Sequence, residues 1–219
     1  MTLEGQFRQG LGVALNESRW LDVDVDSKRA EVRVLLHVLT LPETGPEPKD
    51  PRRVLRCWGV SRVAASLRNG PLPDPDAEAE PLGLGDLSKT VRSFGALPIY
   101  GWEFLDPPSS WTDRWADRLS VDERLAPAAG DDHRLYLFQD AEERCLELCV
   151  WFDDLTVTDG KARTLATDDF LEGGRRWWDA LFAGDPRVAG HGIVPTGGGA
   201  GRGPGERAGR EERANGETG

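Results

Sequence analysis

Four residue types are scarce in this 219-residue chain, which has three cysteines, three histidines, two tyrosines and one methionine. Cys57, Cys145 and Cys149 are too few, and odd in number, for a disulfide framework, so they are expected to be reduced. His37, His133 and His191 form no HxxxH or HExxH pair, which removes the usual zinc-hydrolase pattern. No apolar run reaches the roughly 18 to 20 residues of a membrane span. The N-terminus MTLEGQFRQG has neither the charged nor the apolar segment of a secretion signal. A cytoplasmic protein without membrane contact is the expectation.

Positive charge is also short. Lys and Arg number 27 against 38 Asp and Glu, a net charge of -11. The last thirty residues balance, so the acidic excess belongs to the preceding part of the chain. An acidic body repels phosphate backbones and anionic lipid, so no nucleic-acid partner is expected. A basic protein partner would be attracted. The Gly197–Gly201 run lacks the Lys-Ser/Thr ending of a phosphate loop, and Ser61 in GVSRV lacks the second glycine of a nucleophile elbow.

What is abundant is alternation. Leu21, Val23 and Val25 share one face of WLDVDV, a polar turn follows at 26–29, and Glu31–Leu41 returns as a long central strand. Four prolines in 42–51 impose a loop. The segment 53–68 reads as a strand with a bulge at Gly59, although SRVAASLRN also has helix-forming residues. A short helix is predicted over 86–94 and a strand over 97–105. Trp111, Trp115 and Leu119 suggest a short amphipathic turn within 109–129.

The segment HRLYLFQDAEERCLELCVWFDDLTVT, residues 133–158, is a predicted hairpin at the centre of the sheet. Leu146, Leu148, Val150 and Phe152 mark its core face, Glu147 and Asp153 the other, and a bulge at Asp153 and Asp154 shifts the register. A helix over 168–183, capped by Thr167, carries a broad apolar face. The fold class is α+β: a mainly antiparallel sheet of about six strands with that C-terminal helix packed on one face. Residues 1–189 form one domain, and 190–219, with eleven glycines, form a disordered tail.

Catalytic sets do not assemble from these residues, and no cofactor or metal is expected. Asp22, Asp24 and Asp26 project from one strand face but lack the glycine turn and distant glutamate of a calcium loop. They, like Asp153, Asp154 and Asp159, are read as solvated carboxylates. His37 is read as a core residue and His133 as a loop residue. Cys145 and Cys149 lie about 13 Å apart along a strand, too far to share a metal. The binding candidates are Trp58, Trp102, Glu103 and Trp151, with Glu103 supplying a polar group to an aromatic wall.

Trp58–Arg62 and Leu146–Asp159 resemble segments of small sheet proteins of actinobacteria and of some immunity proteins of polymorphic toxin systems. The resemblance implies a non-enzymatic β-rich protein that blocks another protein. It carries no residue-level role. The charge of -11 and the missing catalytic sets make an acidic, non-enzymatic binding protein with a basic protein partner the leading expectation. A small-molecule binder or an enzyme using the tryptophan-lined face is the alternative.

Overall fold

The computed structural model describes residues 5–70, 77–99, 101–105, 118–126, 133–141 and 143–193, and of 101–105 the backbone alone. Helix α1 spans Gly5–Leu15, followed by β1 (Arg19–Asp26), β2 (Glu31–His37), β3 (Arg52–Trp58) and β4 (Arg62–Asn69). After α2 (Leu87–Ser93) come β5 (Gly101–Leu105), β6 (Val121–Arg124), β7 (His133–Ala141), β8 (Arg144–Phe152), β9 (Asp154–Asp159) and α3 (Thr167–Phe182). The strands form two antiparallel sheets, ordered β1-β2-β3-β9 and β5-β7-β8-β4-β6. The α+β class holds, and the single sheet of about six strands is corrected to these two.

Both sheets are built on one pair of bent ribbons. β3 and β4 are a ribbon interrupted at 59–61, β8 and β9 a ribbon interrupted at Asp153, and the two pair on both sides of the break. There the Asp153 amide donates to the Trp58 carbonyl at 2.9 Å and the Ser61 amide to the Trp151 carbonyl at 3.1 Å. Gly59 has a φ of +61°, and a Cβ on it would meet the Asp153 carboxylate. Glycine is therefore favoured twice over at this corner. The expected bulges at Gly59 and Asp153 are the bends at which strands pass between sheets. The helical alternative for SRVAASLRN gives way to β4, whose residues pair with β8.

The inner faces close over one contiguous core that includes Leu36, Leu55, Val63, Leu137, Leu148 and Val157. β2 is an inner strand as expected but ends at His37. Beyond it the Val38 amide turns to the Pro51 carbonyl and the Leu41 amide to Gly173 of α3.

The C-terminal helix packs chiefly on α1 and on residues 39–41 rather than across a sheet face. At Gly174 a Cβ would lie 2.5 Å from the Ala14 Cα, so the two helices touch through glycine. Thr167 is the first helical residue and Ala166 holds the cap position without a side-chain bond, which corrects the expected cap. Helix α1 has no sequence-level expectation behind it, because three glycines in GQFRQGLGVAL blur its apolar stripe. Packing against α3 supplies what propensity lacks.

The glycine-rich stretch begins with docked residues. His191 Nε2 lies 2.8 Å from Glu47 Oε2, and Ile193 packs on the cluster around Trp177. Residues 194–219 lie outside the described residues, as do Tyr100, Trp111 and Trp115.

Candidate binding face of the five-stranded sheet

On β8, Cys145, Glu147, Cys149 and Trp151 alternate with the core-facing Leu146, Leu148 and Val150, yet they too are buried. Register places Arg134 and Arg62 on either side of Trp151, Tyr136 and Ala64 beside Cys149, and Phe138 and Ser66 beside Glu147. Along β8 the outer face of this sheet is thus interior, and Glu147, on the face opposite the core, is enclosed.

Enclosure requires that its polar groups find partners. Glu147 accepts from Arg68 Nη2 and from the Tyr136 hydroxyl, each at 2.6 Å. Arg62 forks onto Asp122 at 2.6 and 2.7 Å, and its guanidinium stands 4.5 Å from the Trp151 ring centroid. Arg134 approaches the same ring at 5.7 Å. Only 7% exposed, Arg134 leaves its Nε and Nη1 donors without an acceptor, and the buried Ser66 hydroxyl also lacks one. Burial pushes the Cys149 thiol up to about 12 against the opposing pull of Arg134 and Arg62, so it is not a thiolate nucleophile at neutral pH. Cys145 is raised by burial as well. The feature left on this face is a pair of buried Arg134 guanidinium donors without an acceptor, beside the Trp151 indole.

Of the residues predicted from sequence, Trp151 belongs to this face. Trp58 stands on the other sheet, where its Nε1 donates to Thr156 Oγ1 at 2.9 Å and Arg56 covers its ring at 4.3 Å. Trp102 and Glu103 occupy register positions in β5 opposite Leu137 and Tyr136, and their side chains lie outside the described residues. Asp22 accepts from Ser88 Oγ at 2.7 Å, Asp24 pairs with Arg33, and Asp26 accepts from the Lys28 and Arg29 amides. Asp153 stands at the corner while Asp159 ends β9, so that acidic set does not converge.

His37 is half-buried and its pKa is held below the ordinary histidine value, first by burial and then by Arg19 and His191. Among the described residues, no group of three or more His, Cys, Asp or Glu is arranged to hold a metal, and no helix is long and apolar enough to cross a membrane.

The Arg68–Glu147–Tyr136 network and Arg134 went unpredicted. Their signal is CLELCVWF itself, a nearly continuous apolar strand with a single charge, the mark of burial on both faces. Comparison with protein-family models, curated proteins and solved structures finds no match to this chain.

Proposed function

We propose that this chain is a non-catalytic binding protein that takes a basic protein partner, as an inhibitor of the immunity type does. The distribution of charge carries the reading. In the described part, carboxylates are largely tied to arginines: Glu31 to Arg56, Asp122 to Arg62, Asp159 to Arg163, Glu172 to Arg175 and Asp185 to Arg187. The stretches 71–76, 106–117 and 127–132, with residue 142, instead hold eight carboxylates against one arginine. In chain order these stretches follow β4, join β5 to β6, join β6 to β7 and turn from β7 to β8. The acidic excess therefore belongs to the connections of the five-stranded sheet, where it would steer a cationic surface toward them.

The test is recovery of a stoichiometric basic partner from native lysate at low salt, followed by binding measurements on the pure pair. Affinity is expected to fall steeply with salt and to drop at least tenfold when Asp113, Asp117, Asp131 and Asp132 are changed to Asn. No stoichiometric partner, or binding indifferent to both salt and these changes, would overturn the reading. A second reading, a small-molecule binder, is favoured by the unsatisfied Arg134 donors beside Trp151. Thermal stabilisation by aromatic carboxylates, abolished in Arg134→Met, would select it.

A further inference from the structure

The open end of the inter-sheet core holds a cleft of about 320 Å³ lined by Lys49, Asp50, Arg53, Asp159, Lys161 and Arg163, with Pro48, Gly160 and Leu165. On a chain of net charge -11 this lining has four cations against two carboxylates. Both carboxylates are already engaged. Asp50 is gripped by Arg52 Nε at 2.8 Å and Nη2 at 2.9 Å. Asp159 accepts the backbone amides of Lys161 and Arg163 at 2.9 Å and Arg163 Nε at 2.7 Å.

Arg53 shares the core-facing side of β3 with Leu55, is buried, and is held by its Nη1 to the carbonyls of Asp50 and Arg52 at 3.1 and 2.7 Å. Its charge is thus fixed at the mouth of the core, opposite Asp159 in register. Among the described residues neither Lys49 nor Lys161 has an ion-pair partner. The two loops that bear them meet closely, since a Cβ on Gly160 would lie 2.5 Å from Asp50 Oδ2.

We infer that this cleft binds a small phosphorylated metabolite, its phosphate dianion between Lys49, Arg53 and Lys161 and its organic part against Pro48 and Leu165. The size agrees with the lower end of small-ligand sites, roughly 300 to 1,000 Å³. Charge selects against a polymer: beyond a Debye length of about 8 Å the local cations are screened, while a long polyanion would lie along an acidic surface. A small dianion meets only the local cations. The inference is independent of the protein partner proposed above.

Isothermal titration of the full chain with inorganic pyrophosphate and glycerol phosphate at low salt tests it. Saturable binding of both is expected, weakened at least tenfold in Lys49→Ala/Lys161→Ala. Both lysines project from loops, so that variant should keep the wild-type melting temperature. The double arginine replacement at the same positions should restore binding, and Arg29→Ala, in the β1–β2 turn at the opposite end of the sheet from Arg53, should leave it intact. Absence of saturable binding by the wild type at millimolar ligand, or equal binding by the double alanine variant, would overturn the inference. So would an oligonucleotide that displaces pyrophosphate at lower concentration than glycerol phosphate does.

Discussion

Along β3 exposure alternates, with Arg52, Val54, Arg56 and Trp58 reaching water between the buried Arg53, Leu55 and Cys57, whereas β8 is buried at every residue from Cys145 to Phe152. Yet the strands belong to one pair of ribbons, bent at Gly59 and Asp153. The difference lies in what each ribbon meets after the bend. In the four-stranded sheet the outer face is wet, and its charges are paired side by side, Arg56 with Glu31 and Arg33 with Asp24. In the five-stranded sheet the outer face is enclosed along β8, and the buried charges there must be answered inside the protein, while Arg62 and Asp122 pair at its partly exposed edge. Glu147 is answered by Arg68 and Tyr136, while Arg134 is answered only in part. Alternation in a strand thus reports its neighbours and not the strand itself.

The largest test of this contrast is Glu147→Ala. It leaves the buried Arg68 guanidinium and the Tyr136 hydroxyl without their acceptor, and a broken buried pair costs about 3–5 kcal/mol. Urea denaturation should show this loss, and the buried Cys149 thiol should become reactive toward a disulfide reagent as the outer face loosens. A loss below about 1 kcal/mol would mean that this face is wet and that the two sheets do not differ.

Glu31→Ala, in the four-stranded sheet, should cost less. Glu31 is itself only 1% exposed, but the side chain of its partner Arg56 is 27% exposed and keeps access to water. The expected loss lies at the lower end of the roughly 1.5–3 kcal/mol of a hydrogen bond to a charged group, because the donor keeps its access to water. A cost equal to that of Glu147→Ala would erase the distinction between the faces.

These tests also mark what the sequence discloses. The β1–β2 hairpin, the helix over 168–183 and the core face of β8 follow from periodicities of 2 and 3.6, which are local properties. The sheet change at Gly59 and Asp153 does not follow, because a bulge and a corner present the same register shift along one strand. The sequence contains the glycine but not the pairing of the Trp58 carbonyl with the Asp153 amide, 95 residues away along the chain. Trp151, which lies between Arg62 and Arg134 in register, was legible as a member of the aromatic set, a large ring within an apolar run. Arg134 was not, since an arginine beside His133 at a strand end reads as solvated until the enclosure of the sheet is known. The cleft at Arg53 was hidden for a related reason. Its cations come from residues 49–53 and 161–163, far apart in sequence and joined only by the β3–β9 pairing.

The smallest effect expected is that of Arg33→Ala, and it sharpens the comparison through its salt dependence. Arg33 opposes Asp24 in the β1–β2 ladder, with side chains 38% and 62% exposed. Exposed pairs of this kind contribute about 0.2–1 kcal/mol. Against that stands the Arg33 Nε, buried without a hydrogen-bond acceptor and 3.8 Å from Glu31, so removing the side chain also relieves a desolvated donor. The two contributions oppose, and the net loss should stay within about 0.5 kcal/mol at low salt. At 1 M NaCl, where the screening length falls to about 3 Å, what remains of the ion-pair contribution should vanish. The loss in Glu147→Ala should persist at the same salt, because the ions that screen Asp24 have no route to a carboxylate enclosed by Arg68 and Tyr136. If both losses declined in parallel with salt, the outer faces of the two sheets would be equally wet, and the burial that separates β8 from β3 would have no energetic counterpart.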